Sequence, residues 1–494
     1  MPVLTLRQDG RETKIEFVGT PRLADLLMGH GAGLPHPCGG RGLCKKCAVK
    51  AQGRLAPLTR DEKLAGTRLS CQTILLGDCT VTLPPSTGAE QIETQGPSIS
   101  LSPNIWTAMA GEYGAAVDIG TTTMALTVHA LDSGACAAQA ACLNPQGQIS
   151  SDVMGRIGAA MQGKGQLLRR QVVQALESLL HRACRDGGFC EKRVSYLVAT
   201  GNTAMLYLLT GRDTAPLSRA PFQADTLFDA TIQLLGREAY LPPCMDAFVG
   251  ADITCAVMAS GMLARRETAL LVDIGTNGEI VLSHEGALYA ASTAAGPAFE
   301  GAGISCGCGA IPGAIDKVWV EKGQICAHTI GERPAVGLCG SGLIDAIAAM
   351  RRTGMIDETG AMAEKQAVLL PGVALRPGDV RNVQLAKGAI AAGIRTMLDA
   401  AGTRPSQIQR LYIAGGFGRH LDLPNAVFIG LFPEALASKA QAIGNAALSG
   451  AQLLLLDGHR KREARAIASR AKTVMLGGNQ VFANYYMEAM LFPE

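Results

Sequence analysis

The chain has 494 residues, 48% hydrophobic, 18% charged and 4% aromatic, with 59 glycines, 15 cysteines and a net charge of +3. The length exceeds one core and sets an expectation of roughly three modules of about 150 residues. The composition excludes a disordered chain, and so small a charge gives no reason to expect nucleic acid as a partner.

No apolar run reaches the ~20 residues of a bilayer span, and the start shows no basic and apolar leader. A cytoplasmic chain without membrane attachment is therefore expected, with some of its reduced thiols holding metal rather than forming disulfides.

Residues 3 to 18 alternate as two short strands about Asp9-Gly10, and Thr20 through Gly31 places Leu23, Leu26 and Leu27 at helical spacing. A cysteine loop follows, and Cys79-Thr80-Val81-Thr82-Leu83 reads as a closing strand before Pro84-Pro85. This is the order of a β-grasp ferredoxin, an α+β module over 1–85. Five residues separate Cys38 from Cys44 and two separate Cys44 from Cys47, with Cys71 further on. Gly39, Gly40 and Gly42 let backbone N–H groups turn inward toward cluster sulfurs. Cys38, Cys44, Cys47 and Cys71 are thus expected to hold a [2Fe–2S] cluster. The rival, structural zinc, is disfavoured because a second nearby Cys-x-x-Cys is missing. His36 reads as a loop residue beside the cluster rather than a ligand.

Residues 86–113, rich in Ser, Gln, Pro and Gly, read as a linker. From Gly114 the pattern becomes strand, tight turn, strand, then helices and further strands, and it restarts near Thr268. A duplicated α/β domain is expected, with lobes over 114–264 and 265–494 and a ligand between them. Each lobe opens on the same turn. The first copy is Val117-Asp118-Ile119-Gly120-Thr121-Thr122-Thr123, and the second, 155 positions later, is Val272-Asp273-Ile274-Gly275-Thr276-Asn277-Gly278-Glu279. A carboxylate at a strand end can hold Mg2+, the glycine admits phosphate oxygens to backbone N–H groups, and the Thr hydroxyls donate to them. One copy alone is an ordinary hairpin turn. Two copies, with apolar strands entering the loops at Gly201-Asn202 and Gly415-Gly416-Phe417-Gly418, point to a nucleotide cleft.

The Cys306-Gly307-Cys308 turn could ligate metal or relay redox chemistry, but plain turn-lining thiols are expected. The basic segment from His459 to Lys472 reads as a solvated helix face.

Several segments carry a family likeness: Cys38 through Cys47, Asp118 through Thr123, Asn144-Pro145-Gln146, Gly201 through Met205, Asp273 through Glu279, Gly296-Pro297-Ala298-Phe299-Glu300-Gly301, Cys339-Gly340-Ser341-Gly342 and Ala414 through Gly418. On these the chain resembles the reductive activators of corrinoid-dependent enzymes. Such proteins join a ferredoxin domain to an ATPase of the acetate-kinase, sugar-kinase, heat-shock-chaperone and actin superfamily, a duplicated RNase H-like fold.

The resemblance implies ATP as cofactor, with Asp118, Gly120, Thr121, Thr122 and Thr123 as the first phosphate loop. Asp273, Gly275, Thr276, Asn277, Gly278 and Glu279 form the second, and Gly415, Gly416, Phe417 and Gly418 face the adenosine. Asp118 and Asp273 would organise Mg2+ and the attacking water. Glu300 is left between a role at the cleft and an ordinary satisfied carboxylate. The implied task is return of a corrinoid from Co(II) to Co(I), in an anaerobe's methyl-transfer system. Its partners would be a corrinoid protein or corrinoid-dependent methyltransferase and a low-potential electron donor, and homodimerisation is implied by resemblance only.

The alternatives are an ATP-driven donor to another low-potential enzyme and a small-molecule kinase. Activators of the first kind lack an N-terminal ferredoxin domain. One departure from the family stands out. Larger members place a further small domain between ferredoxin and ATPase, where this chain has about 28 linker-like residues.

Overall fold

The computed structural model describes residues 1–30, 32, 34, 40, 42, 45–84, 92–97 and 112–493. Cys38, Cys44 and His36 lie outside the described residues, as does most of the expected linker.

The N-terminal alternation builds a five-stranded sheet from β1 (Val3–Gln8), β2 (Arg11–Glu16), β3 (Ala48–Leu55), β4 (Arg68–Leu69) and β5 (Leu75–Thr82), in the order β2-β1-β5-β3-β4. β1 and β2 are antiparallel with Gln8 opposite Arg11, and Asp9 and Gly10 between them take φ of 49° and 77°. That left-handed pair matches the twist of a two-residue hairpin. β5 runs parallel to β1 and buries every second residue, including Leu75, Cys79 and Val81, against Leu23 and Leu27 of α1 (Leu23–Gly29).

α2 (Arg60–Ala65) opens on a capping box between Thr59 and Glu62. Glu62 is fully buried and accepts from Leu69 N at 3.1 Å, Thr73 Oγ1 at 2.6 Å, Thr59 N at 2.9 Å and Arg68 Nη1 at 3.3 Å. One carboxylate therefore fixes both ends of the segment that carries Cys71.

Two six-stranded sheets follow. The first contains β6 (Tyr113–Ile119), β7 (Thr123–Ala130), β8 (Cys136–Leu143), β9 (Val194–Gly201), β10 (Ala230–Leu234) and β11 (Arg237–Leu241), in the order β10-β11-β9-β6-β7-β8. Its helices are α3 (Val153–Ala159), α4 (Gly165–Asp186), α5 (Thr203–Thr210), α6 (Ala215–Ser218) and α7 (Ala251–Ser260).

The second sheet begins with β12 (Ala269–Ile274), β13 (Gly278–His284) and β14 (Ala287–Thr293). A side sheet of β15 (Ala314–Glu321), β16 (Gln324–Thr329) and β17 (Gly337–Leu338) and a hairpin of β18 (Ala367–Leu370) and β19 (Val373–Leu375) then interrupt it. It resumes with β20 (Arg410–Ala414), β21 (Ala440–Gly444) and β22 (Ala471–Thr473), giving the order β21-β20-β12-β13-β14-β22. Its helices are α8 (Gly340–Arg352), α9 (Pro377–Ala401), α10 (Leu423–Phe428), α11 (Ala446–Leu456), α12 (Arg460–Arg470) and α13 (Gln480–Ala489).

The pairing repeats between the sheets. β6 is antiparallel to β7 and parallel to β9, and β12 is antiparallel to β13 and parallel to β20. Asp118 and Asp273 thereby end equivalent strands.

The lobes are joined through a common core. α11 packs on β6 and β9 of the first sheet and crosses α7, and Ala116, Val198, Leu271, Tyr412 and Leu448 belong to one buried cluster. Nor is α12 merely solvated. Arg465 Nε lies 2.6 Å from Asp229 Oδ2 and Lys461 Nζ sits 4.3 Å from the Tyr240 ring centroid, so this basic helix is tied to the first lobe. Among the described residues no helix is long and apolar enough to cross a membrane.

Packing at two positions gives testable outcomes. At Gly450 a Cβ would lie 2.2 Å from the Cys255 carbonyl oxygen, so Gly450→Ala should cost about 2 kcal/mol by overpacking despite the better helix propensity of alanine; the denaturant midpoint reads it. Glu62→Ala leaves buried donors unmet and should cost about 3 kcal/mol in the ferredoxin module, read as earlier loss of the cluster's visible absorbance on heating.

Candidate functional site: a carboxylate-lined cleft

A cavity of about 760 Å³ opens between the two sheets, lined by Asp118, Gly120, Thr121, Thr122 and Thr123 from one side and Asp273, Gly275, Thr276, Asn277 and Glu279 from the other. Gly415, Gly416 and Phe417 close its third side. Residues distant in sequence are brought together because both turns lie at the same edge of equivalent sheets.

The first turn is held from below. Asn144 Nδ2 donates to Gly120 O at 2.8 Å and Asn202 Nδ2 to Thr121 Oγ1 at 3.0 Å, while the Asn202 carbonyl oxygen of the side chain caps α5 by accepting from Met205 N. Arg156, with no exposed surface, donates to Thr121 O at 2.5 Å, Ser150 O at 2.9 Å and Gln146 Oε1 at 3.1 Å. Asn144 and the Arg156 guanidinium thus tie the Gly120 and Thr121 carbonyls to buried side chains, while Thr121, Thr122 and Thr123 line the cavity.

Five carboxyl groups meet here. Burial pushes Asp118 up to about 6, offset in part by a 3.0 Å bond from Asn445 Nδ2. Burial and then the charges of Asp118 and Glu300 push Asp273 up to about 7. Asp252, on α7, is raised by burial and by Asp118 and Asp273, and Glu279 by burial and by Asp252 and Asp273. Glu300 is raised by burial, moderated by bonds from Thr122 and Thr276 and by Arg156. Like charges held away from water favour protons or a cation between them.

On the third side Gly415 has φ of 88°, and a Cβ there would lie 2.9 Å from Asp273 Oδ1 and from Ile274 O. Only glycine fits both conformation and space. Phe417 stacks on Phe299 with centroids 5.3 Å apart. Two expected site glycines stand elsewhere. Side chains at Gly278 and Gly418 would strike Ile390 Cγ1 at 2.9 Å and Ile413 Cγ2 at 2.5 Å, so these residues serve packing and do not line the cavity.

The expected linker also differs from its reading. Ile92, Glu93, Thr94 and Gln95 line the cavity. Arg419 Nη1 donates to Glu93 Oε2 and to Gln95 Oε1, each at 3.0 Å, and Asn445 N donates to Gln95 O at 2.9 Å. Polar composition signalled a tether, but these groups meet partners only the folded cleft supplies. Asp252, Arg156 and Asn445 also escaped the sequence reading; an aspartate opening an otherwise apolar helix was the one signal available for Asp252.

In the N-terminal module Cys47 and Cys71 belong to one buried cluster, and a Cβ at Gly40 would come 3.7 Å from Cys71 Cβ, so the backbone at Gly40 lies close to that residue. Two buried cysteines in one cluster suit all-cysteine iron ligation. Lys46, beside Cys47, donates to Gly307 O at 2.5 Å, within the Cys306–Cys308 turn whose Cys308 lines the cavity. Burial, then Asp379, pushes the Cys306 thiol up to about 11.

A ferredoxin module preceding a duplicated domain with two phosphate turns defines an iron–sulfur protein with an ATPase fold. Residues 6–76 match the 2Fe-2S iron-sulfur cluster binding domain, 113–265 the RACo middle region, and 267–494 the C-terminal domain of RACo, the ASKHA domain. The chain is 32% identical over 420 residues to the corrinoid activation enzyme RamQ of Eubacterium limosum, covering 77% of this chain and 70% of that one. It is 30% identical over 275 residues to the [Co(II) methylated amine-specific corrinoid protein] reductase of Methanosarcina barkeri, about half of each chain (51%). A solved reductive activator for corrinoid, iron-sulfur protein superposes with a TM-score of 0.72 at 25% identity, covering 99% of this chain and 98% of that one. The chain belongs to the RACo family of reductive activators of corrinoid proteins, and its cofactors are an iron–sulfur cluster and ATP.

The raised carboxyls have a pH signature. Asp252 and Asp273 hold protons in the folded cleft at pH values where the unfolded chain has lost them. Stability of the protein without nucleotide should therefore fall as pH rises from about 4 to about 8, and Asp252→Asn should raise the melting temperature more at pH 8 than at pH 5.

Proposed function

We propose that the protein uses ATP to drive one-electron reduction of a corrinoid protein's cobalt from Co(II) to Co(I). The observation that carries this reading is the presence, in one chain, of a cysteine-loop ferredoxin module and a cleft bearing both Asp-Ile-Gly-Thr turns. Over both parts the chain follows relatives named for corrinoid activation.

Cys38, Cys44, Cys47 and Cys71 hold a [2Fe–2S] cluster, which when bound supplies one electron at low potential. In the cleft Thr121, Thr122, Thr123 and Thr276 donate hydroxyls to phosphate oxygens, Asn277 and Glu279 complete the second turn, and Gly415, Gly416 and Phe417 face the adenosine. Asp118 and Asp273, two buried carboxyl groups at the ends of equivalent strands, would hold Mg2+ and position the attacking water.

ATP helps because the electron must travel uphill. For one electron each ~59 mV of unfavourable gap costs a factor of ten, and a nucleotide can offset it only by binding two states unequally. The working division is ferredoxin 1–85, connecting segment 86–113 and lobes 114–264 and 265–494. A low-potential donor upstream, a cytoplasmic location and pairing of two copies through the ATPase lobes complete the reading on family likeness alone.

The test is anaerobic. Reduced protein is mixed with a Co(II) corrinoid protein, and Co(I) absorbance is followed with and without MgATP. Growth of Co(I) only with ATP supports the reading; its absence with an intact reduced cluster and several corrinoid partners overturns it. Cys44→Ser should abolish cobalt reduction and leave ATP binding intact. Asp273→Asn should lower ATP hydrolysis by roughly a hundredfold or more while the cluster's spectrum is retained.

A further inference from the structure

Glu300 ends the short helical turn Pro297–Glu300, flanked by Gly296 and Gly301 with φ of 77° and 76°. Its Oε2 accepts from Thr122 Oγ1 at 2.8 Å and from Thr276 Oγ1 at 2.8 Å. Those hydroxyls belong to the two phosphate turns, 154 positions apart in sequence, and stand 3.1 Å from each other. Arg156 is near enough to act on the carboxylate, but its own bonds go to Thr121 O, Ser150 O, Gln146 Oε1 and Met205 Sδ. The hydrogen bonds to Oε2 thus come from the two threonines that face the cavity.

One anionic oxygen accepting a hydroxyl from each turn makes the same demand on the protein as a non-bridging oxygen of a phosphoryl group bound between them. A triphosphate and this carboxylate cannot both take the two hydroxyl protons, because each hydroxyl has one to give.

We propose that Glu300 is an internal anion standing in the nucleotide-free cleft where the terminal phosphate of a nucleoside triphosphate binds, so that the triphosphate must displace it while the diphosphate need not. The inference rests on the cleft being a nucleotide site. It makes Glu300 a residue that discriminates between triphosphate and diphosphate by competition with the γ-phosphate, and it gives the two turns a ligand that keeps them bridged between rounds of turnover.

Calorimetric titration of the cluster-bearing full chain with Mg-bound AMPPNP and with MgADP tests it, in the native protein, Glu300→Gln and Glu300→Asp. Glutamine keeps an acceptor but removes the charge, so affinity for AMPPNP should rise about tenfold, the scale of relieving one like-charge repulsion in a partly screened site. Affinity for ADP should change less than about twofold by the same reasoning. Aspartate, one methylene shorter, cannot span both hydroxyls and should shift the AMPPNP-to-ADP ratio in the same direction by less, which keeps the test decisive if the glutamine variant misfolds. A ratio unchanged in both variants, or a fall in AMPPNP affinity, overturns the inference and leaves the nucleotide site standing. Failure of the native protein to bind either nucleotide overturns the site itself and the inference with it.

Discussion

Everything in the ATPase half depends on keeping carboxylates together where water is scarce. Asp118, Asp252, Asp273, Glu279 and Glu300 are drawn to the inner edge of two equivalent sheets, and their mutual repulsion is a cost of folding that the apolar core must cover. The molecule moderates that cost locally, with Asn445 on Asp118, Ser292 on Glu279 and two threonines on Glu300. None of these neutral donors cancels a charge. A cation would complete the site electrostatically, and the magnesium complex proposed above for the phosphate chain would bring one. Ligand affinity and strain in the nucleotide-free protein are thus two aspects of one arrangement.

The scaffold tolerates this strain because it does not come apart between the lobes. α7 and α11 meet backbone against backbone, and α11, though late in the chain, packs on the first sheet. The carboxylates converge on a cleft whose floor is a continuous packed core. At the other end, the turn carrying Cys308 forms part of the cavity wall and offers its Gly307 carbonyl to Lys46 beside the cluster loop. Nucleotide cleft and cysteine loop therefore touch the same few residues.

Much of this could be read from the chain. Alternation about Asp9-Gly10 and the spacing of Leu23 and Leu27 follow from periodicities that persist in the sheet and helix formed there. The repeated Asp-Ile-Gly-Thr turn was legible because duplication preserves strand order as well as residues. What could not be read was long-range. Arg156 sits on a helix with no local mark of burial, and Asn445 resembles an ordinary helix cap while also bonding Asp118, 327 positions away. Gly278 and Gly418 lie inside recognisable motifs, yet their small size serves Ile390 and Ile413. Pattern identifies a motif, and only packing divides its glycines between ligand and core.

The anchoring of Ile92 to Gln95 in the cleft wall also changes how far the ferredoxin module can reach. Counted as a free tether, Pro84 to Glu112 would allow excursions on the order of 100 Å at about 3.6 Å per residue. With Glu93 and Gln95 held by Arg419 and Asn445, the leash runs only from Pro84 to Ile92, roughly 29 Å when fully drawn out. The electron-carrying end of the molecule is confined to the neighbourhood of the nucleotide mouth, and a distant cobalt must be brought to it unless those few bonds let go and release the rest of the line.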